Sequence, residues 1–222
     1  MTDVACKLDF VQKVFDESFI DENIVLTYSG SKNNTTKFKL VEQTMFGATK
    51  FVLIDPVFED IVVKISANKQ YHMNHKTKKS KLIKFKVTDY CRLEARFYKR
   101  AVKAGVDKVF AKTELLGVVN GHNIYSQEKV AICGYRWGVV PKDITEEEYI
   151  NSRNMYFKMI EGHEFSMNSD FGGFVIRYYG AEFCVKLTEF INANKINDLG
   201  PHNCGTRSDG SPVIYDFSGY KR

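Results

Sequence analysis

The chain has 222 residues, 44% hydrophobic and 14% aromatic, enough for one substantial core or two small lobes. No stretch approaches the roughly eighteen apolar residues of a membrane span, and the start MTDVACKLDF has no apolar signal-peptide core, so a cytoplasmic setting without a membrane partner is expected. Five scattered cysteines, odd in number and without a C-x-x-C pair, argue against a disulfide framework or a zinc site and for reduced, mostly buried thiols.

In chain order, LDFVQKVF suits a short helix, with Leu8, Phe10, Val11, Val14 and Phe15 apolar. TKFKLVE, TKFVLID and the β-branched run EDIVVKIS read as strands of an antiparallel sheet, with turns at SGSKNN, FGAT and DPVFED. From Thr88 the period changes: TDYCRLEARFYKRAVKAG offers Thr88 as a cap, Tyr90, Leu93, Phe97 and Ala101 at spacings of three and four, and Gly105 as a stop. ELLGVVNGHNIYSQEKV returns to two strands, and its Asn-Gly is a strong hairpin signal. DITEEEYINSRNMYFKMIEG and AEFCVKLTEFINANK are helical, and final strands around CGTRS and PVIYDF meet at Ser208-Asp209-Gly210.

The formal charge of +5 is concentrated. Residues 69–86 hold seven of the 32 basic residues and no acid, and the other 25 are offset by 27 acidic residues. Such a run is either a solvated loop or strand face, or an anion-binding surface for nucleic acid or an acidic partner.

The closing stretch NDLGPHNCGTRSDGSPVIYDFSGYKR contains Asp198, Asn203 five residues on, and Asp216 followed by Phe-Ser-Gly. Asp198-Leu199-Gly200-Pro201-His202-Asn203 resembles the catalytic loop of protein kinases and aminoglycoside phosphotransferases, D-L-x-P-x-N or D-L-H-x-G-N. Asp216-Phe217-Ser218-Gly219 is similar to their metal-binding Asp-Phe-Gly with one residue inserted. IVVKI resembles the kinase V-A-I-K strand, and the motifs occur in the order that fold demands.

The resemblance implies a role for each residue. Asp198 would accept the proton of an acceptor hydroxyl, while Asn203 and Asp216 would hold magnesium. Lys64 would pair with nucleotide phosphates, oriented by Glu94 on the inner face of the long helix. Gly47, Ala48, Thr49 and Lys50 stand where the phosphate loop belongs, and the backbone of Glu128 to Val130 would meet adenine. The chain departs from the pattern in having only Gly47 for G-x-G-x-x-G, Ile196-Asn197 for His-Arg, and Gly200 for the usual Lys or His. His202 is either a substitute for that side chain or a solvated loop histidine.

The fold expected is α+β and protein-kinase-like, with ATP and magnesium between two lobes. Residues 1–127 would form an N-lobe with an antiparallel sheet and the Glu94 helix, and 128–222 a reduced helical C-lobe without activation segment or late helices. Minimal kinase-like chains of bacteria and phages are similar. The expected function is transfer of the γ-phosphoryl group of ATP to a hydroxyl of a protein or small molecule. Two alternatives belong to other classes: a pseudokinase-type binding module or host-factor inhibitor, and a basic nucleic-acid-binding protein using residues 69–86.

Overall fold

The computed structural model describes residues 4–18, 25–28, 43–46, 49–67, 69–73, 76–77, 79–84, 89–131 and 144–217. In chain order these form α1 (Val4–Ser18), β1 (Val25–Tyr28), β2 (Gln43–Phe46), β3 (Lys50–Ile54), β4 (Ile61–Ser66), β5 (Lys69–Met73), β6 (Ser80–Lys84), α2 (Tyr90–Ala104), β7 (Thr113–Val119), β8 (His122–Glu128), α3 (Glu146–Met159), α4 (Ser169–Tyr179), α5 (Ala181–Ala193), β9 (Cys204–Thr206) and β10 (Pro212–Ile214). The α+β chain divides into two compact units, Met1–Ala95 with Thr113–Lys129, and Arg96–Lys112 with Val130–Arg222. Among the described residues no helix is long and apolar enough to cross a membrane.

The first unit is built on an antiparallel sheet of order β2-β3-β4-β8-β7. Side chains alternate across a strand, so β4 can bury two different faces. Val63 and Ile65 join Phe51, Leu53 and Ile124 in a core with Val11, Val14 and Phe15 of α1. Lys64 points to the other face with Tyr125, which packs against Cys91 and Ala95 at the start of α2. The β7–β8 hairpin turns at Asn120 and Gly121, both at positive φ (49° and 77°), as the Asn-Gly signal requires.

The lysine-rich segment forms the β5–β6 hairpin, with Lys76, Lys79 and Lys84 exposed. Its parallel partner is β1, with Val25 opposite Lys69, so the first unit contains a second, three-stranded sheet in addition to the antiparallel one that the sequence announces. The expected strand at 36–42, the turn SGSKNN and the Thr88 cap lie outside the described residues. At the start of α2 it is Asp89 that caps, its Oδ1 accepting from Arg92 N at 2.9 Å.

In the second unit, Thr145 and Glu148 form a reciprocal capping box at the start of α3. Helix α4, absent from the sequence expectation, is capped by Asn168, whose Oδ1 accepts from Asp170 N at 3.0 Å and Phe171 N at 3.3 Å. Gly172 and Gly173 each weaken that helix by about 1 kcal/mol relative to Ala. Packing requires them: a Cβ at Gly172 would lie 2.5 Å from the Tyr156 ring, and one at Gly173 2.9 Å from Ser152 Oγ, both on α3. The core joins Phe171, Val175, Leu187 and Ile191 to Ala101, Phe110, Ile214 and Phe217. Gly210, at φ +83°, follows the Ser208-Asp209 turn of the β9–β10 hairpin.

Candidate active site

Two strands and one helix assemble the first group of polar side chains. Lys50 on β3 is opposite Ser66, and Val52 is opposite Lys64, so the two lysines are diagonal neighbours on one face of the sheet. Both reach Glu94 of α2, Lys64 Nζ at 3.0 Å from Oε2 and Lys50 Nζ at Oε1. All three are almost fully buried, with Glu94 at 0% exposure. A charge in such a place is held only by close partners, and Glu94 serves two. Lys50, expected to lend charge to the phosphate loop, is therefore also a partner of the carboxylate that engages Lys64.

Beside this group, the Cys91 thiol is pushed up to about 12, first by burial and then by the Glu94 charge. Thr49 is buried and its Oγ1 has no partner among the described residues, while its carbonyl accepts from Ala67 N. Gly47 and Ala48 lie outside the described residues.

Asp89 fixes the angle at which α2 delivers Glu94. Its Oδ1 accepts from Ser66 Oγ at 2.8 Å, and its Oδ2 from Tyr125 OH at 2.8 Å and Asn123 Nδ2 at 2.9 Å. Ser66 Oγ in turn accepts from Cys91 N at 3.0 Å. The helix start is thereby tied to β4 and β8, one turn before Glu94. Sequence reasoning misses this hub: an Asp before a helix signals a cap, but nothing local announces its partners on two strands.

The second group lies wholly in the second unit. Ile196, Leu199 and Phe217 are buried and anchor the chain on either side of Asp198 and before the terminal residues. Phe217 meets Phe110 edge to face with centroids 5.0 Å apart. Leu199 O accepts from Asn168 N at 3.1 Å, pinning the loop to the start of α4. Asp198 has φ +61°, a left-handed conformation that Asp tolerates better than most residues, and its side chain is 46% exposed.

Asn203 joins the parts. Its side-chain amide donates to the carbonyl of Asp198, and its backbone carbonyl accepts from Tyr215 N at 3.0 Å and Asp216 N at 3.4 Å. The β9–β10 hairpin thus returns Asp216 to the loop that carries Asp198. With its NH₂ donating to a carbonyl, Asn203 keeps Oδ1 as an acceptor. Among the described residues no three His, Cys, Asp or Glu side chains cluster as a metal-binding group. The donors here are carboxylate and amide oxygens, which suit magnesium, a hard cation that keeps several waters and takes few protein ligands.

His202 folds back over Gly200, where a Cβ would lie 2.7 Å from its ring, and its Nε2 is 3.9 Å from Asp198 Oδ1. Its side chain is 72% exposed. Glu128 closes β8 opposite Ile61, and the Lys129 N–H is taken by Asp60 O at 2.7 Å, which leaves Glu128 and Val130 on either side of a committed donor. Comparison with known proteins finds no matching family model, no matching curated protein and no matching solved structure, so the resemblance to the kinase superfamily is carried by its motifs alone.

Proposed function

We propose that this chain is a kinase-like phosphotransferase that binds ATP with magnesium and passes the γ-phosphoryl group to a hydroxyl of a protein or small molecule. The observation that supports it most is the Asn203 junction: three residues singled out by motif, Asp198, Asn203 and Asp216, are linked through backbone and side-chain hydrogen bonds of one residue. The buried Lys64–Glu94 pair meets the same reading independently.

In this reading Lys64 holds phosphate oxygens and Glu94 keeps its ammonium in place. Thr49 supplies a buried hydroxyl without a partner among the described residues, and Asn203 and Asp216 hold the cation. Magnesium, when bound, offsets negative charge on the phosphate oxygens. Asp198, half exposed on a loop anchored by buried neighbours, accepts the proton of the incoming hydroxyl.

Thermal unfolding with and without magnesium and ATP tests the proposal, since a ligand bound only by the folded state raises the midpoint by mass action. The wild type is expected to be stabilised, and Lys64→Ala and Asp216→Ala to lose the response. An equal response from both variants would show that the nucleotide binds elsewhere or not at all.

A further inference from the structure

Residues 69–86 carry seven lysines, no arginine and no acidic residue, while the rest of the chain has 25 basic against 27 acidic residues. Any attraction for a polyanion therefore belongs to this segment. The fold turns it into a surface: β5 and β6 pair from Lys69 opposite Lys84 to Met73 opposite Ser80, and β1, VLTY, adds a third strand without a charged residue. Lys76 at the turn, Lys79 just before β6 and Lys84 at its end are exposed. Lysines thus stand at both ends of the hairpin, and a rise of about 3.3 Å per residue sets Lys79 and Lys84 roughly 17 Å apart along the strand. That span covers about five nucleotides at about 3.4 Å each.

Two simpler accounts do not cover this arrangement. Among the described residues β6 is an edge strand, where lysines deter edge-to-edge pairing, but Lys69 is on the central β5 and Lys76 is at the turn. A merely solvated face mixes both signs, and like charges in register disfavour a hairpin. Lys69 stands opposite Lys84 with no acidic residue on any of the three strands to offset the pairing.

Residue type then selects among polyanions. Arginine's planar fork matches carboxylates, whereas lysine is a point charge that meets phosphate oxygens without a fixed orientation, and all seven cations here are lysine. We propose that the β5–β6 hairpin binds the phosphate backbone of a nucleic acid without reading its sequence, with Lys76, Lys79 and Lys84 among the contacts. This holds whether or not the chain transfers phosphate.

Fluorescence anisotropy on the full chain tests it, with labelled DNA of about 20 nucleotides in two unrelated sequences, single-stranded and annealed. Binding at about 50 mM salt should be similar for the two sequences and at least about tenfold weaker at about 200 mM. The triple variant Lys76→Gln, Lys79→Gln, Lys84→Gln should bind single strands about tenfold more weakly at low salt and flatten the slope of log K against log salt by about 2. Lys99→Gln, Lys103→Gln, Lys158→Gln removes the same charge from exposed positions on α2 and α3 and should change affinity by less than about threefold. Lys79→Glu alone should act in the direction of the hairpin triple, and thermal midpoints check that each variant folds. Absence of binding, indifference to salt, a clear sequence preference, or equal losses in the hairpin and control triples overturns the proposal. Tighter binding of polyglutamate or of phosphatidylserine vesicles than of DNA assigns the face to an acidic protein or a membrane, with the same consequence.

Discussion

The side-chain amide of Asn203 donates to the backbone carbonyl of Asp198, five residues earlier in the chain. Because the Asn203 carbonyl also accepts from Tyr215 and Asp216, this one residue couples the loop to the terminal hairpin. Asn203→Leu removes the donor and leaves the Asp198 carbonyl unmet, a loss of about 1–3 kcal/mol in urea unfolding. The same variant should lose stabilisation by magnesium with ATP. Unchanged stability would mean that the hydrogen bond does not hold the loop.

Glu94 is the more sensitive position for folding. It is fully buried and serves both Lys50 and Lys64, so Glu94→Gln removes one charge from two ion pairs. The expected loss in denaturant unfolding is about 3–5 kcal/mol, the range for breaking a buried pair on one side. Glu161→Gln, at an exposed position, is the control and should change stability by less than about 0.5 kcal/mol. Equal effects at the two positions would show that Glu94 does not carry the charge balance of its surroundings.

Burial of thiols makes stability fall in alkaline solution. Cys91 and Cys184 are both pushed up from 9.0 to about 12, chiefly by burial. Between about pH 9 and pH 12 the unfolded chain has released these protons and the folded chain has not. The unfolded state then binds fewer protons, and stability drops by about 1.4 kcal/mol per pH unit for each thiol, while below that window it is fully present. The double variant Cys91→Ala, Cys184→Ala should show a shallower decline between pH 8 and pH 10 in urea midpoints. A slope as steep as that of the wild type would remove the thiols as its cause.

Asp198 separates an enzyme from a binding module. Its left-handed backbone is one that Asn also adopts readily, so Asp198→Asn should keep the loop and nucleotide binding while lowering phosphoryl transfer about a hundredfold or more. Transfer assays with labelled ATP and broad acceptor panels measure this. Absence of transfer in the wild type, with Asp198→Asn still complementing a deletion, would favour the pseudokinase-type module.

Local chemistry made much of this protein legible before any tertiary contact was known. The β-branched run EDIVVKIS, the spacing of three and four from Tyr90 to Ala101, and the turns at Asn120-Gly121 and Ser208-Asp209-Gly210 reflect backbone sterics within a few residues, and β4, α2 and both hairpins are where they indicate. The candidate site was legible as motifs in order, and Glu94 as an inward-facing carboxylate. What remained hidden depends on partners distant in sequence. Helix α4 contains Gly172 and Gly173, whose cost is offset only where Tyr156 and Ser152 approach from α3. The β1–β5 pairing sets Val25 against Lys69 across a long stretch of chain. Lys50 meets Glu94 because strand register makes it a diagonal neighbour of Lys64, and Asp89 becomes a hub only when β4 and β8 bring Ser66, Asn123 and Tyr125 to it. Propensity and turn chemistry act along the chain, whereas buried charges and close helix contacts are satisfied only by groups that folding brings from elsewhere.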